Sequence, residues 1–252
     1  MSDTTDLVLR ERRGAAVHLV INRPDKLNSL NVPVFKALDD HVKALMADPG
    51  DVAVVVLRGA GRCFSAGHDL SDIAVGEKLP EPNFQSKVIE RLAGLPLPVV
   101  SAVHGHCYTG ALELALAGDL ILAAESAKFA DTHAKWALTP VWGLSQRLPR
   151  RVGTSKAREM MFTCRTYSGR EAAAMGLANA CVSDAEFDAA IDALVAEIAA
   201  NSSFSHRANK GLLDDTDGLP ISAGLSHEIY RGSGRGPDMH DRIAAFAKRT
   251  RV

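Results

Sequence analysis

The stretch His104-Gly-His-Cys-Tyr-Thr-Gly-Ala-Leu-Glu-Leu-Ala-Leu-Ala-Gly118 constrains this chain more than any other. It opens as a loop. From Gly110 it reads as a helix in which Ala111, Leu112, Leu114, Ala115, Leu116 and Ala117 leave no wet face, and a helix that is apolar all round is buried. Gly118 stands where a helix stop is expected. One charge, Glu113, lies inside the run. A buried carboxylate is costly unless it is paired, protonated or used. A helix start also presents free N–H groups at the positive end of the helix dipole, which suits an oxyanion. The stretch therefore offers an oxyanion donor at Gly110 and, one turn later, a carboxylate. On the stretch alone, a Glu held by an Arg or Lys from elsewhere explains the run as well.

A chain of 252 residues, 46% of them hydrophobic, is long enough for one large domain, or one domain with an appendage, around a sizeable core. A net charge of −1 and a pI near 6.8 exclude nucleic acid and anionic membrane as partners on bulk charge. Cys63, Cys107, Cys164 and Cys181 show no paired spacing and read as free thiols of a reducing compartment. The start, Met-Ser-Asp-Thr-Thr-Asp, is not a signal peptide. No uncharged apolar run approaches the ~18 residues of a membrane span. A soluble cytoplasmic protein is expected.

In chain order, Leu7 to Arg10 and Val17 to Ile21 predict a β-hairpin. Asn31 caps a predicted helix with the apolar face Val34, Leu38, Val42 and Leu45. Val52 to Leu57 reads as a strand buried on both faces. Gly59-Ala-Gly61 invites a dinucleotide-loop reading, but the third glycine of the motif falls at Phe64 and no strong helix signal follows, so it is rejected. Gly67 permits close backbone approach or positive φ. Ser71 to Pro82 is polar, with Gly and Pro, and reads as a mobile surface loop. A helix over residues 84–93 leads through Leu95-Pro-Leu-Pro98 to a second buried strand, which runs into the opening stretch. Strands follow near 119–124 and 127–130, then a polar segment Asp131–Trp136 and a turn at Thr139–Gly143. Thr154 caps a helix through Met161, and Ser168-Gly-Arg-Glu171 is a capping box for a helix that stops at Gly176. A short strand at 180–182 and a long helix over 184–200 precede a helical remainder.

Motifs spread through this order make the chain resemble the crotonase, or enoyl-CoA hydratase/isomerase, superfamily. They are Asn22-Arg-Pro…Leu27-Asn-Ser-Leu30, Phe64-Ser-Ala-Gly-His-Asp-Leu70, Pro98-Val-Val-Ser-Ala-Val-His-Gly105…Gly110-Ala-Leu-Glu-Leu114, Gly118-Asp119, Pro140…Gly143 and Glu171-Ala…Gly176-Leu177. The resemblance implies an α/β fold, a spiral of ββα units over residues 1–200 carrying an acyl-CoA site. A C-terminal helical region over 201–252 serves trimerisation and CoA contacts. It implies a homotrimer or dimer of trimers, an acyl-CoA substrate, no metal, and no cofactor beyond the coenzyme A of the substrate. It places the oxyanion hole at the backbone N–H groups of His68 and Gly110. CoA and acyl contacts fall to Lys26, Leu27, Asn28, Ala66, Asp69, Leu70, Trp136, Phe246 and Arg249.

The resemblance makes Glu113 the first of two catalytic glutamates. The second position is His133, and this is the chain's main departure. Imidazole titrates near neutral pH, so His133 can take one of the two proton-transfer roles and Glu113 the other, with Asp131 placed to orient His133 or to reach the site itself. The expected activity is hydration of a 2-enoyl-CoA. Isomerisation, thioester or C–C hydrolysis, and acyl-CoA binding without turnover are the alternatives. His104-Gly-His106 lacks a third ligand at metal spacing. Cys107, beside the buried helix, reads as packing rather than as a nucleophile. The His68 imidazole is assigned no role beyond a pocket wall.

Overall fold

The computed structural model of the protein describes residues 7–249. It opens with an antiparallel hairpin, β1 (Val8–Arg13) and β2 (Ala16–Ile21), which pairs Val8 with Ile21 and Arg13 with Ala16. All six residues of β2 are buried because both of its faces are covered. Side chains alternate along a strand, so Val17, Leu19 and Ile21 enter the main core and Ala16 a smaller one. A 3₁₀ turn (Pro24–Lys26) leads to α1 (Val32–Ala47). The Asn31 side chain caps α1 by accepting the Val34 N–H at 3.2 Å.

From here the chain winds in repeated turns. β3 (Val54–Gly59) leads to α2 (Leu70–Val75) and α3 (Phe84–Ala93). β4 (Val99–Val103) leads to β5 (His106–Tyr108) and α4 (Gly110–Ala115). β6 (Leu120–Ala124) leads to β7 (Lys128–Ala130), a 3₁₀ turn (His133–Trp136) and α5 (Leu144–Thr163). β8 (Tyr167–Ser168), α6 (Gly169–Ala174), β9 (Ala180–Val182) and α7 (Phe187–Ala199) complete the winding. The helices α8 (Ser203–Thr216), α9 (Ile221–Arg231) and α10 (Met239–Arg249) follow. The first strands of successive turns stack as β1-β2-β3-β4-β6-β9, parallel except at the hairpin. The second strands form a small sheet, β5-β7-β8. Isolated bridges extend the small layer by pairing Ser65 with Cys107 and Leu30 with His68. The expected α/β spiral of ββα units is therefore present, with helices at its C-terminal end.

Three local expectations change. Ser71–Pro82 is not simply a surface loop, since its first part is α2, capped by the Asp69 side chain at the Ser71 N–H (3.2 Å). Gly118 is not a left-handed helix stop. A Cβ there would lie 2.4 Å from Ser101 Oγ, so glycine is needed because β4 approaches closely. The helix near Thr154 begins earlier, at Leu144, and kinks at Gly153, whose φ of 76° and ψ of 156° are not helical.

His18 lies on the second face of β2 with both ring nitrogens buried and unpartnered. Burial, reinforced by Arg13 and Arg58, pushes its pKa down from 6.5 to about 4. Between these values the unfolded chain holds more protons than the folded one, so stability rises with pH across that window. Acidification from pH 6.5 to 4 is expected to cost on the order of 3 kcal/mol through this residue. His18→Leu should flatten that part of the stability curve in urea titrations at stepped pH, and an unchanged slope would contradict the assignment.

Candidate active site

The site begins where α4 begins. Thr109 adopts φ 53° and ψ −109°, an uncommon conformation for a β-branched residue. Neighbouring bonds hold it there. Its N–H donates to Ala130 O at 2.8 Å, its hydroxyl lies 2.5 Å from that of Thr132, and it accepts the Thr132 N–H at 3.1 Å. The end of β7 thus fixes the direction in which α4 starts.

One turn into α4, the Glu113 side chain is 1% exposed. No Arg or Lys pairs with it among the described residues. Instead Oε1 accepts two backbone N–H groups from the segment leading into α5, Trp142 at 2.8 Å and Leu144 at 3.2 Å. Oε2 lies 3.7 Å from His133 Nε2. His133 Nδ1 donates to Asp131 Oδ1 at 2.6 Å, and the same oxygen accepts the His133 backbone N–H at 3.1 Å. A carboxylate only accepts, so Asp131 places the proton on Nδ1 and leaves Nε2 facing Glu113. His133 and Asp131 are also buried. Burial raises the proton affinity of Glu113, and the Leu144 and Trp142 amides and His133 offset only part of that rise.

Glu113 and His133 open into a cavity of about 540 Å³ whose walls include Leu70, Ile73, Trp136, Leu138, Val141 and Trp142. Gly110 and His68 line the same cavity. A Cβ on Gly110 would sit 2.5 Å from Trp142 Cζ3 and 3.3 Å from the His68 amide nitrogen. The two amides therefore flank one corner of the cavity, kept clear by the absent side chain. The bridge to Leu30 runs through Gly67 O and the Asp69 N–H, so it does not use the His68 N–H. Gly67 holds φ 102°, and a Cβ there would lie 2.5 Å from Tyr108 O. Two backbone amides, a buried carboxylate and an imidazole thus meet at one mostly apolar cavity.

The remaining expected site residues divide. Ala66, Leu70 and Trp136 line the cavity. Lys26 is exposed at the 3₁₀ turn, and Leu27 follows it in a left-handed conformation. The side chain of Asn28, a residue expected at the CoA groove, is taken up within the loop. It is fully buried, accepts the Arg23 N–H at 2.8 Å and donates to Ala60 O and Cys63 O, both at 2.8 Å, so its amide holds the loop. Asp69 is likewise occupied. Burial would raise its pKa, but hydrogen bonds from Ser71, Ser29 and Arg23 win and hold it down at about 2. Phe246 is exposed on α10 and is not part of the cavity wall. Arg249 ends α10, and its side chain lies outside the described residues. The sequence reading missed Glu77 and Gln85. Glu77 Oε2 lies 2.7 Å from His68 Nε2 and accepts Gln85 Nε2 at 2.9 Å, while the His68 ring rests on Trp142 with centroids 4.6 Å apart.

The family model described as enoyl-CoA hydratase/isomerase matches residues 11–226. The 1,2-epoxyphenylacetyl-CoA isomerase of Escherichia coli (strain K12) is 31% identical, with 97% of each chain covered. The short-chain-enoyl-CoA hydratase of Clostridium acetobutylicum is 29% identical over 97% of this chain and 96% of its own. A crystal structure of an enoyl-CoA hydratase/carnithine racemase from Magnetospirillum magneticum superposes with a TM-score of 0.88 at 30% identity, covering 97% of this chain and 93% of that one.

Gly110→Ala should force the Trp142 ring aside, and overpacking of this kind costs about 1–3 kcal/mol. Because one contact carries the effect, Gly110→Ala combined with Trp142→Leu should be less destabilised than the sum of the single variants. Strict additivity in urea denaturation would show that the contact is not the cause.

Proposed function

This chain belongs to the enoyl-CoA hydratase/isomerase family, and we propose that within it the protein adds water across the double bond of a 2-enoyl-CoA. The observation that carries this reading is the 3.7 Å separation of Glu113 Oε2 and His133 Nε2. One water placed about 2.8 Å from each atom would be held by both.

The roles follow from the two environments. Asp131 accepts the Nδ1 proton of His133 and leaves Nε2 as the base. Burial favours the protonated form of Glu113 and so suits it as the acid. His133 Nε2 takes a proton from water as its oxygen bonds to the β-carbon. The π electrons of the double bond move toward the thioester carbonyl. The resulting enolate oxygen is held by the N–H groups of His68 and Gly110. Glu113 gives its proton to the α-carbon, which completes the 3-hydroxyacyl thioester. Transfer of the water-derived proton from His133 to Glu113 resets the pair. The thioester itself acidifies the α-carbon, so the reading calls for no cofactor beyond the CoA of the substrate.

Lys26, Leu27 and Ala66 are assigned to the CoA groove, with Phe246 and Arg249 of α10 contributing from the same or a neighbouring copy. In this reading residues 1–200 carry the site and 201–252 the assembly surface of a homotrimer or dimer of trimers. Leu213, Ile221, Leu225, Ile229 and Ile243 stand exposed on α8, α9 and α10, which is apolar area that a second copy would cover. The four free cysteines and the lack of any described helix long and apolar enough to cross a membrane fit a reducing cytoplasm. Double-bond isomerisation is the second reading, since the matching family model is described as enoyl-CoA hydratase/isomerase. It would use the same pair to shuttle a proton without water.

The test is to incubate the protein with crotonyl-CoA and longer 2-enoyl-CoAs and follow loss of the enoyl thioester absorbance. Glu113→Gln and His133→Ala should each lower kcat/KM by about 10²–10⁴, the usual worth of a positioned acid or base. Asp131→Asn should lower kcat more than it changes KM. Tight acyl-CoA binding with no turnover at any chain length would overturn the hydratase reading.

A further inference from the structure

We propose that His68 sets substrate specificity through its side chain, its free ring nitrogen receiving a hydroxyl group carried on the acyl chain beyond the double bond. The inference rests on the acyl-thioester reading above. It starts from a second carboxylate–imidazole pair on the same cavity. Glu77 Oε2 accepts from His68 Nε2 at 2.7 Å, which leaves Nδ1 as the nitrogen without a partner among the described residues. The His68 side chain is 22% exposed, whereas the unpartnered nitrogens of His18, His104 and His106 are sealed from solvent.

The pair is built rather than incidental. Glu77 is held in turn by Gln85 of α3 at 2.9 Å, and Gln85 is 4% exposed. The far face of the ring is fixed by Trp142, 4.6 Å between centroids at a tilt of 35°. Other polar groups of the wall are already engaged. The Thr109 and Thr132 hydroxyls bond each other at 2.5 Å and Glu113 and His133 form the acid–base pair, while Lys135 and Thr139 stand at the exposed part of the wall. The same cavity wall carries the apolar side chains of Leu70, Ile73 and Val141. A plain alkyl chain filling that space would strip water from Nδ1 and give nothing back. A hydroxyl both gives and accepts a hydrogen bond, so it matches Nδ1 in either protonation state of the ring.

The experiment compares two isosteric pairs in steady-state kinetics: 4-hydroxybut-2-enoyl-CoA with pent-2-enoyl-CoA, and 5-hydroxypent-2-enoyl-CoA with hex-2-enoyl-CoA. Within at least one pair the wild type should favour the hydroxylated member in kcat/KM by about ten-fold or more, the discrimination expected when a polar group of the site is otherwise left unpaired. His68→Phe keeps a ring against Trp142 and should bring that ratio close to one, whatever happens to its absolute rates. Glu77→Leu leaves His68 in place but unanchored, and should reduce the preference. A wild-type ratio near one in both pairs, or a preference that His68→Phe leaves intact, would overturn the inference alone. Failure to turn over any of the four thioesters would overturn the acyl-thioester reading and the inference with it.

Discussion

A carboxylate placed in the driest helix of the fold is tolerated because two amides converge on it. Glu113 Oε1 receives the N–H groups of Trp142 and Leu144, and most of the site's geometry can be traced from that clamp. The Trp142 amide comes from the segment entering α5, so holding Glu113 also seats that segment over α4. The Trp142 ring then lies edge-on to Phe35 at 4.9 Å and against His68 at 4.6 Å. The same ring occupies the space that a Cβ on Gly110 would need. One tryptophan therefore ties Glu113, Gly110 and the His68 ring together. Loss of any of the three should be felt by the others, because packed interiors transmit strain.

The other half of the pair is built differently. Where the family resemblance leads one to expect a second carboxylate, this chain has an imidazole backed by a carboxylate two residues earlier. Asp131 accepts both the ring N–H and the backbone N–H of His133, which fixes tautomer and ring orientation at once. The replacement sets an imidazole beside a glutamate whose proton affinity is raised by burial.

Much of this was legible in the sequence. The all-apolar run around Glu113, the Asn31 cap and the capping box at Ser168 are local signals, and all three appear as read, Ser168 with both reciprocal bonds of the box. What escaped depends on partners distant in sequence. Glu77 sits in a polar stretch that reads as solvated, and only folding brings His68 and Gln85 to it. Asn28 reads as a turn residue on a groove, yet its amide is consumed by carbonyls more than thirty residues away. The first half of α5 was hidden by Pro149 and the kink at Gly153. Gly118 was read as a helix stop, when the constraint on it comes from Ser101 of a neighbouring strand.

The central claim is that the fold holds Glu113 as a dry, amide-clamped acid. The most direct measurement is the infrared difference spectrum between the wild type and Glu113→Gln, followed against pH, which isolates the carboxyl stretch of this one side chain. The protonated band is expected to persist above the pH range in which ordinary glutamates ionise. A band that disappears within the ordinary glutamate range would contradict it.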